Sequence, residues 1–354
     1  MKKRGYTGNL LFRRLLPVLL ALVLLEGCRP SSRKLPEGQD NMMTFAFYNV
    51  ENLFDTHDDP RSGGDNEFLP SGSKRWDDDK YRNKIMGLSE ALRDLGEDEL
   101  PGVVGFCEVE NSRVVEELVA APALAPGNYE VIHYHDRDSR GIDLALAYRP
   151  DVFTVDSHRL IPVRTARGGF LARGILAVEG RISNGEEFHV FVTHWPSRDG
   201  DEEAKARGRR ETAEALRTLA DPILKKGGNS HVVIMGDMND EPADESLLKV
   251  LGAVPPGKET PGGLVNLMYP LMERGHGSYK YQGDWKMLDN LVVSASLFDE
   301  NGTRVEEGRG FVFSNSRMEF RSRGGEVSPD RTYVGDKYTG GISDHFPVYF
   351  RIRE

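Results

Sequence analysis

The sequence predicts an α/β fold of two packed mixed sheets flanked by helices, and three observations carry that expectation. Apolar runs of strand length recur along the chain, and some are continuous, as strands covered on both faces read. Between them lie segments with apolar residues at helical spacing and acidic start signals. Strands and helices in mixed order then call for a sheet-rich layered domain. Hydrophobic content of 38%, with 16 Phe, 12 Tyr and 3 Trp in 354 residues, supplies a sizeable core and argues against global disorder.

The first 27 residues stand apart from that domain. Lys2, Lys3, Arg4, Arg13 and Arg14 form a positive region ahead of the apolar run Leu15 to Leu25. The run is about half the ~20 residues that a membrane-spanning helix needs, so it reads as an export signal. It ends in "LEGC", which resembles a bacterial lipobox with Glu26 where a small residue is usual. Cys28 is then the expected first mature residue, a lipid carrier anchoring the chain to a membrane of a bacterial envelope. Residues 28–42 are polar and Pro-containing, a tether, and the catalytic domain is expected over 43–354. Loss of residues 1–27 removes five positive charges and one negative, taking the net charge from −10 to about −14. Such an acidic surface argues against sequence-blind gripping of nucleic acid, though not against a local basic cleft. Cys107 is the only other cysteine, so the domain has no internal disulfide framework.

From Thr44, "TFAFYNV" alternates as a strand. "DDKYRNKIMGLSEALRDL" carries Ile85, Leu88, Leu92 and Leu95 at helical spacing, with Asp77 to Asp79 as start signals. "GVVGFCEV" is a short continuous apolar run. Further strands are expected at Tyr129–His135, Asp143–Tyr148, Arg173–Ile182, Glu187–His194, His231–Gly236, Met287–Ser294 and Phe346–Ile352. Helices are expected at Ser112–Val119, Glu202–Leu224 and Asp244–Leu251. In the last strand Phe346, Val348 and Phe350 should share one face, with Pro347, Tyr349 and Arg351 on the other. Residues 55–78, 196–208, 252–284 and 320–341 read as long loops.

Polar residues gather where these strands begin and end. Asn49 and Glu51 close the first, Glu108 and Glu110 the buried run, His194 another, and Asp237 and Asn239 the next. Arg140 precedes a strand that Asp143 opens; Asp289 lies in "WKMLDNLVVS"; Asp344 and His345 open the last. Burying an unpaired carboxylate costs several kcal/mol, so structure alone gives these strands little reason to carry them. Carboxylates, amides and imidazoles, with few thiols and no paired-histidine spacing among them, suit a hard cation held by oxygen, such as Mg²⁺.

Six blocks in order, "YNVENLFD", "CEVEN", "RGIDLALAYRP", "THWPSR", "GDMND" and "SDHFP", resemble the exonuclease–endonuclease–phosphatase superfamily from about Phe45 to Phe350. The resemblance implies a four-layered α/β sandwich and Mg²⁺- or Mn²⁺-dependent hydrolysis of a phosphoester. It assigns metal ligation to Glu108, with Asn49 beside it and Asp344 completing the shell. His345 matches the family's catalytic histidine and Asp289 its acid partner. Asp237 and Asn239 match the pair that positions the attacking water, and His194 the donor to a non-bridging phosphate oxygen. Arg140 is a further phosphate contact, whereas Asp143 reads as structural.

Three readings follow. The first is a nuclease outside the cytoplasm; the second is a phosphatase or phosphodiesterase for a small or lipid phosphate. The third, a non-catalytic binding scaffold, is disfavoured because every core position carries a competent residue. Arg198, Lys205, Arg207, Arg209 and Arg210 offer a basic cluster near His194, though a mixed-charge run is more often a solvated helix start. Trp195 reads as a core ring, and the working unit is expected to be a monomer. The chain has no Gly-x-Ser-x-Gly elbow, Walker P-loop, His-Glu-x-x-His or Cys-x-x-Cys.

Overall fold

Alternation along single strands builds the layers. In the computed structural model, which describes residues 42–60, 63–96, 99–198, 200–299 and 302–354, the first strand is Met42–Leu53 (β1). The expected signal at 1–27 and the tether at 28–42, Met42 excepted, lie outside the described residues. Phe45 and Phe47 of β1 enter one apolar cluster, while Ala46 and Tyr48 enter another on the opposite face. Period-two burial on both faces needs a covering layer on each side.

Helix Asp78–Leu95 (α1) supplies one cover, starting on Asp77, whose side chain accepts from Lys80 N. Next come Val103–Val109 (β2), then Ser112–Ala120 (α2), capped by Asn111, then Glu130–Tyr134 (β3) and Asp143–Tyr148 (β4). Phe153–Ile161 (β5), Ile175–Ile182 (β6) and Glu187–His194 (β7) precede Glu202–Lys226 (α3), capped by Asp201. Ser230–Asp237 (β8), Ala253–Val254 (β9), Leu264–Asn266 (β10) and Asp289–Ser294 (β11) follow. Arg304–Val305 (β12), Phe311–Val312 (β13) and Val348–Arg353 (β14) complete the sheets.

One sheet runs β12-β14-β1-β2-β4-β3, with β13 also on β14; the other runs β9-β10-β11-β8-β7-β6-β5. The inner faces meet through Phe45, Phe47, Val103 and Phe350 from one sheet and Val190, Val192, Val233 and Met235 from the other. Leu88 and Leu92 of α1 and Val115 and Leu118 of α2 cover the first sheet's outer face. Ala213, Leu216 and Ala220 of α3 cover the second, against Val232 and Ile234. The molecule is the four-layered α/β sandwich expected. Among the described residues no helix is long and apolar enough to cross a membrane.

Strand polarity puts the chemistry at one edge. β1 runs parallel to β2, and β7 parallel to β8, so their carboxyl ends share a rim. β4, β11 and β14 run antiparallel to their neighbours and bring their amino ends there.

Several expectations need correction. β5 was not anticipated, because this edge strand ("FTVDSHRLI") is largely exposed and reads as polar. Ser246–Leu251 is a short π-helix beginning two residues later than expected. The stretch 196–208 is not all loop, since α3 starts at Glu202. The stretches 252–284 and 320–341 carry short strands, including the hairpins Tyr279–Tyr281 with Asp284–Lys286 and Tyr333–Val334 with Lys337–Tyr338. Phe346 does not share a face with Val348 and Phe350: the strand starts only at Val348, and Phe346 packs in the α1 layer with Tyr349.

Gly236 fixes how closely β7 and β8 approach at this rim. It pairs with Thr193, and a Cβ there would lie 2.1 Å from the Thr193 carbonyl oxygen. Backbone cannot yield as a flexible side chain can. Gly236→Ala is therefore expected to destabilise the fold by about 1–3 kcal/mol. The check is a lower urea midpoint with unchanged slope; an unmoved midpoint would show that the strands part freely.

Candidate active site

Register lines three groups up across the second sheet. Asp237 ends β8 with His194 of β7 as its partner on one side and Asp289 of β11 on the other. The first sheet meets this row through Asn49, whose Nδ2 donates to Asp237 Oδ2 at 3.0 Å. The row is largely buried.

Glu108 reaches the rim through a bulge. The β2–β4 ladder pairs Cys107 with Leu144 and then Val109 with Asp143, leaving Glu108 out of register at φ +62°. A bulge re-aims a side chain, and a left-handed non-glycine residue is strain of the kind stored at functional sites. β1 is interrupted likewise between Asn49 and Leu53, with Glu51 at φ +46° and Asn52 at +54°; Asn239 sits at +50°. The two bulges are tied together, since Asn52 N donates to Glu108 Oε2 at 3.0 Å. Glu108 Oε1 lies 3.9 Å from His194 Nε2, which is 3.6 Å from Asp237 Oδ2. Asp237 Oδ2 is in turn 3.9 Å from His345 Nε2, so contacts run unbroken from Glu108 to His345.

Ser343 explains why an acid and a histidine stand together at the last strand. Its hydroxyl donates to Asn49 O at 2.6 Å and accepts from His345 N at 3.1 Å, pinning the turn against β1. His345 Nδ1 then donates to Asp289 Oδ2 at 2.7 Å, and Ser278 Oγ donates to that same oxygen. The Tyr279 ring covers the imidazole at 4.7 Å between centroids. Asp344 Oδ1 stands 3.9 Å from His345 Nε2 and faces Arg331 at 3.6 Å.

These groups surround a cleft of about 540 Å³ whose walls include Asn49, Glu51, Glu108, Arg140, His194, Arg198, Asp237, Asn239, Tyr279, Tyr281, Lys286, Asp344 and His345. Of the nine residues that the resemblance and the sequence assigned to the site, all line it except Asp289, which stands buried behind His345. Arg140 lies at the rim and bonds weakly to Asp138, at 3.4 Å. Asp143 accepts from Asp136 N and from two histidines instead of facing the cleft. Asn239 presents its amide nitrogen to Trp195 O at 3.1 Å, and its backbone N–H donates to Asp237 Oδ1 at 3.0 Å. The basic run does not form one surface. Arg198 alone of it lines the cleft, and Arg209 is buried against Asp240 and Glu202. Trp195 is core.

Electrostatics separates the two histidines. Burial opposes a charge on His345, yet Asp289, Asp237 and Asp344 outweigh it and hold its imidazole protonated well above the usual range. Burial, with Arg173, Arg140 and His345 adding to it, keeps His194 well below that range and hence neutral. Burial pushes Asp237 up to about 7, His345 pulling it back and Asp289 adding to the rise. Burial, with Asp344 adding to it, likewise pushes Glu51 on the cleft wall up to about 7, so the rim offers one imidazolium, one neutral imidazole and two carboxyl groups able to change charge near neutrality.

Carboxylate and amide oxygens from Glu108, Asn49 and Asp344 on this cleft are the donor set a hard divalent cation takes, leaving room for water and a phosphate oxygen. The group Asp237, Asp289 and His345 also brings ligand-type atoms within 4.8 Å of one another.

Sequence reasoning missed Lys84, Ser278, Tyr279 and Arg173. Lys84 is buried in α1, its Nζ donating to Glu51 O and Thr332 Oγ1, both at 2.6 Å. Burial brings it down to about 8 against the pull of Glu51, Asp344 and Glu108, so it backs this acidic rim with a cation. Its signal was present, since Lys84 falls on the helical stripe of Tyr81, Ile85 and Leu88. Ser278 and Tyr279 carried no such signal.

Comparison with known proteins gives one family and one fold. The model of the Endonuclease/Exonuclease/phosphatase family matches residues 44–354. D. rerio TDP2 complexed with single strand DNA product is similar at TM-score 0.54 and 15% identity, covering 89% of this chain and 100% of that one. The mannosyl-6-phosphatase Bt3783 of Bacteroides thetaiotaomicron aligns at TM-score 0.52 and 18% identity, covering 88% and 99%. The human Nocturnin catalytic domain with bound sulfate anion aligns at 0.51 and 15%, covering 88% and 97%. At such identities the likeness shows the fold. No curated protein sequence matches the chain.

Proposed function

Because the chain belongs to the endonuclease/exonuclease/phosphatase family and is a divalent-metal-dependent phosphoester hydrolase, we propose that it is a nuclease cleaving phosphodiester bonds by in-line attack of water. One observation carries the reading of the chemistry. The Asp289–His345 pair faces Asp237 across a cleft that also holds Glu108, His194 and Asn49.

Glu108, Asn49 and Asp344 would hold the ion, Mg²⁺ or Mn²⁺, which would supply Lewis-acid neutralisation of charge developing at the phosphate. Asp237, poised near neutrality, orients the attacking water and takes its proton, with Asn239 N–H fixing the other carboxylate oxygen. His194 Nε2–H donates to a non-bridging phosphate oxygen, where charge builds. His345, kept in one tautomer and charged by Asp289, gives a proton to the departing oxygen through Nε2. Arg140 at the rim forks onto phosphate more readily than a lysine would.

The nuclease choice rests on the lip. Tyr281 is 54% exposed beside Lys286 and Arg198, and an aromatic face with cations beside it suits a base and its backbone on a single strand. TDP2, a structural relative, is described with a single-strand DNA product. A second reading, a phosphatase or phosphodiesterase of a small or lipid phosphate, draws on the same lip. Arg198 is paired with Asp240 and Asp244, and Lys286 with Glu241, which leaves little free charge for a long polyanion. For location, the cationic start, short apolar run and Cys28 support an exported lipoprotein anchored in a bacterial envelope. All the proposed catalytic groups come from one chain, which makes a monomer sufficient.

The test is a substrate panel: single- and double-stranded DNA, RNA, sphingomyelin and small phosphomonoesters, each with Mg²⁺, Mn²⁺ or chelator. Metal-dependent cleavage of nucleic acid, single strands first, is expected. Turnover confined to the lipid or to phosphomonoesters would replace the first reading by the second.

A further inference from the structure

A second cluster of ligand atoms lies outside the cleft and plays no part in the reaction proposed above. His133 lies near the end of β3 and His135 one residue past it, while Asp143 opens the neighbouring β4. His133 Nε2 lies 3.2 Å from Asp143 Oδ2, and His135 Nδ1 lies 3.0 Å from that same oxygen. The rings meet edge to face at 4.7 Å, and one ligand atom from each residue falls within 4.8 Å of the others.

We propose that His133, His135 and Asp143 form a zinc site, with water in the fourth position. Zinc takes imidazole nitrogen and carboxylate oxygen tetrahedrally at about 2.0–2.2 Å, which sets neighbouring ligands about 3.4 Å apart. The two nitrogen–oxygen separations are within a few tenths of an ångström of that edge. Binding asks only that each imidazole turn a lone pair, in place of its proton, toward the centre. Two imidazoles with one carboxylate form a borderline donor set, unlike the oxygen-rich cleft, so zinc and magnesium would sort between the two places. The carboxylate is already oriented, because its other oxygen accepts from Asp136 N at 3.0 Å; ligating carboxylates are held in this way. Access is one-sided: the side chains of His133 and Asp143 are 4% and 6% exposed, that of His135 44%.

An ion here ties the end of β3 to the start of β4, across the loop that presents Arg140. Val109, the residue after Glu108, is the strand partner of Asp143, so the same ion buttresses the Glu108 bulge. The inference does not depend on which phosphoester the cleft takes.

The experiment strips the purified full-length protein with chelator and saturates it with Mg²⁺. It is then titrated with Zn²⁺, and metal retained after gel filtration is counted by elemental analysis. The wild type is expected to keep one zinc equivalent. Glu108→Gln should keep it too, whereas His135→Ala, a change at a half-exposed side chain, should lose it with an unaltered circular dichroism spectrum. Co²⁺ in place of Zn²⁺ should give visible absorption bands that disappear in His135→Ala. The proposal is overturned by a wild type that retains no zinc, leaving only a hydrogen-bonded trio. It is equally overturned by zinc that survives in His135→Ala or departs in Glu108→Gln.

Discussion

His345→Ala is expected to lower kcat by about 10²–10⁴-fold, the usual worth of a positioned acid or base, with secondary structure intact. The imidazole is reached from three directions. Asp289 fixes Nδ1, Ser343 holds the backbone, and Nε2 is left facing Asp237 and Asp344 on the cleft. A companion change separates this role from simple packing. Burial opposes the charge on His345 and Asp289 is the strongest group favouring it, so Asp289→Asn should lower the imidazole's pKa. If protonated His345 donates to the departing oxygen, activity falls as pH rises through that value. The alkaline limb of the kcat profile should therefore move to lower pH in Asp289→Asn. The stability sign agrees: a histidine raised in the folded state contributes fully below its ordinary value of 6.5 and less as pH climbs through the raised value. Near-wild-type turnover in His345→Ala with metal present, or an alkaline limb that stays put in Asp289→Asn, would remove His345 from the acid role.

The legibility of this site follows from strand polarity. Glu108, His194 and Asp237 stand at the ends of apolar strands, Asn49 ends the regular pairing of another, and Asp289 opens one, so sequence places them where ladders begin and end. That these ends share one rim is a matter of parallel and antiparallel order, which the resemblance implied and periodicity alone does not reveal. Groups supplied by irregular backbone were less visible. Ser278 and Tyr279 come from a short hairpin inside what reads as loop, and their roles depend on contacts across 11 and 66 residues. Arg173 precedes β6 as an ordinary polar residue, yet it is buried against Asp138 at 3.3 Å. The bulge that turns Glu108 outward is equally silent, because "GFCEVEN" reads as a regular strand followed by a turn.

That bulge supports the sharpest contrast between stability and function. An L-residue in the left-handed region costs roughly 1–2 kcal/mol that glycine avoids. Glu108 occupies it at φ +62°, with its carboxylate among Asp237 and the other acids of the rim. A fold selected for stability alone would favour glycine at this position. Glu108→Gly forfeits the bond from Asn52 N, worth about 1 kcal/mol, and recovers the backbone strain, so the melting temperature should stay within a few degrees of wild type. Activity should behave differently. With the proposed anionic ligand gone, kcat/KM is expected to drop about a thousandfold, the several kcal/mol that Lewis-acid neutralisation contributes. Glu108→Gln, which keeps an oxygen for Asn52 but not the charge, should regain part of the loss when Mg²⁺ or Mn²⁺ is raised; Glu108→Gly should regain less. Calorimetry of the metal-free proteins beside a metal titration of activity makes the comparison. A stable, active glycine variant would mean that the ion is held elsewhere on the rim, while a glycine variant that fails to fold would make Glu108 a structural keystone and not a ligand retained against the fold's own preference.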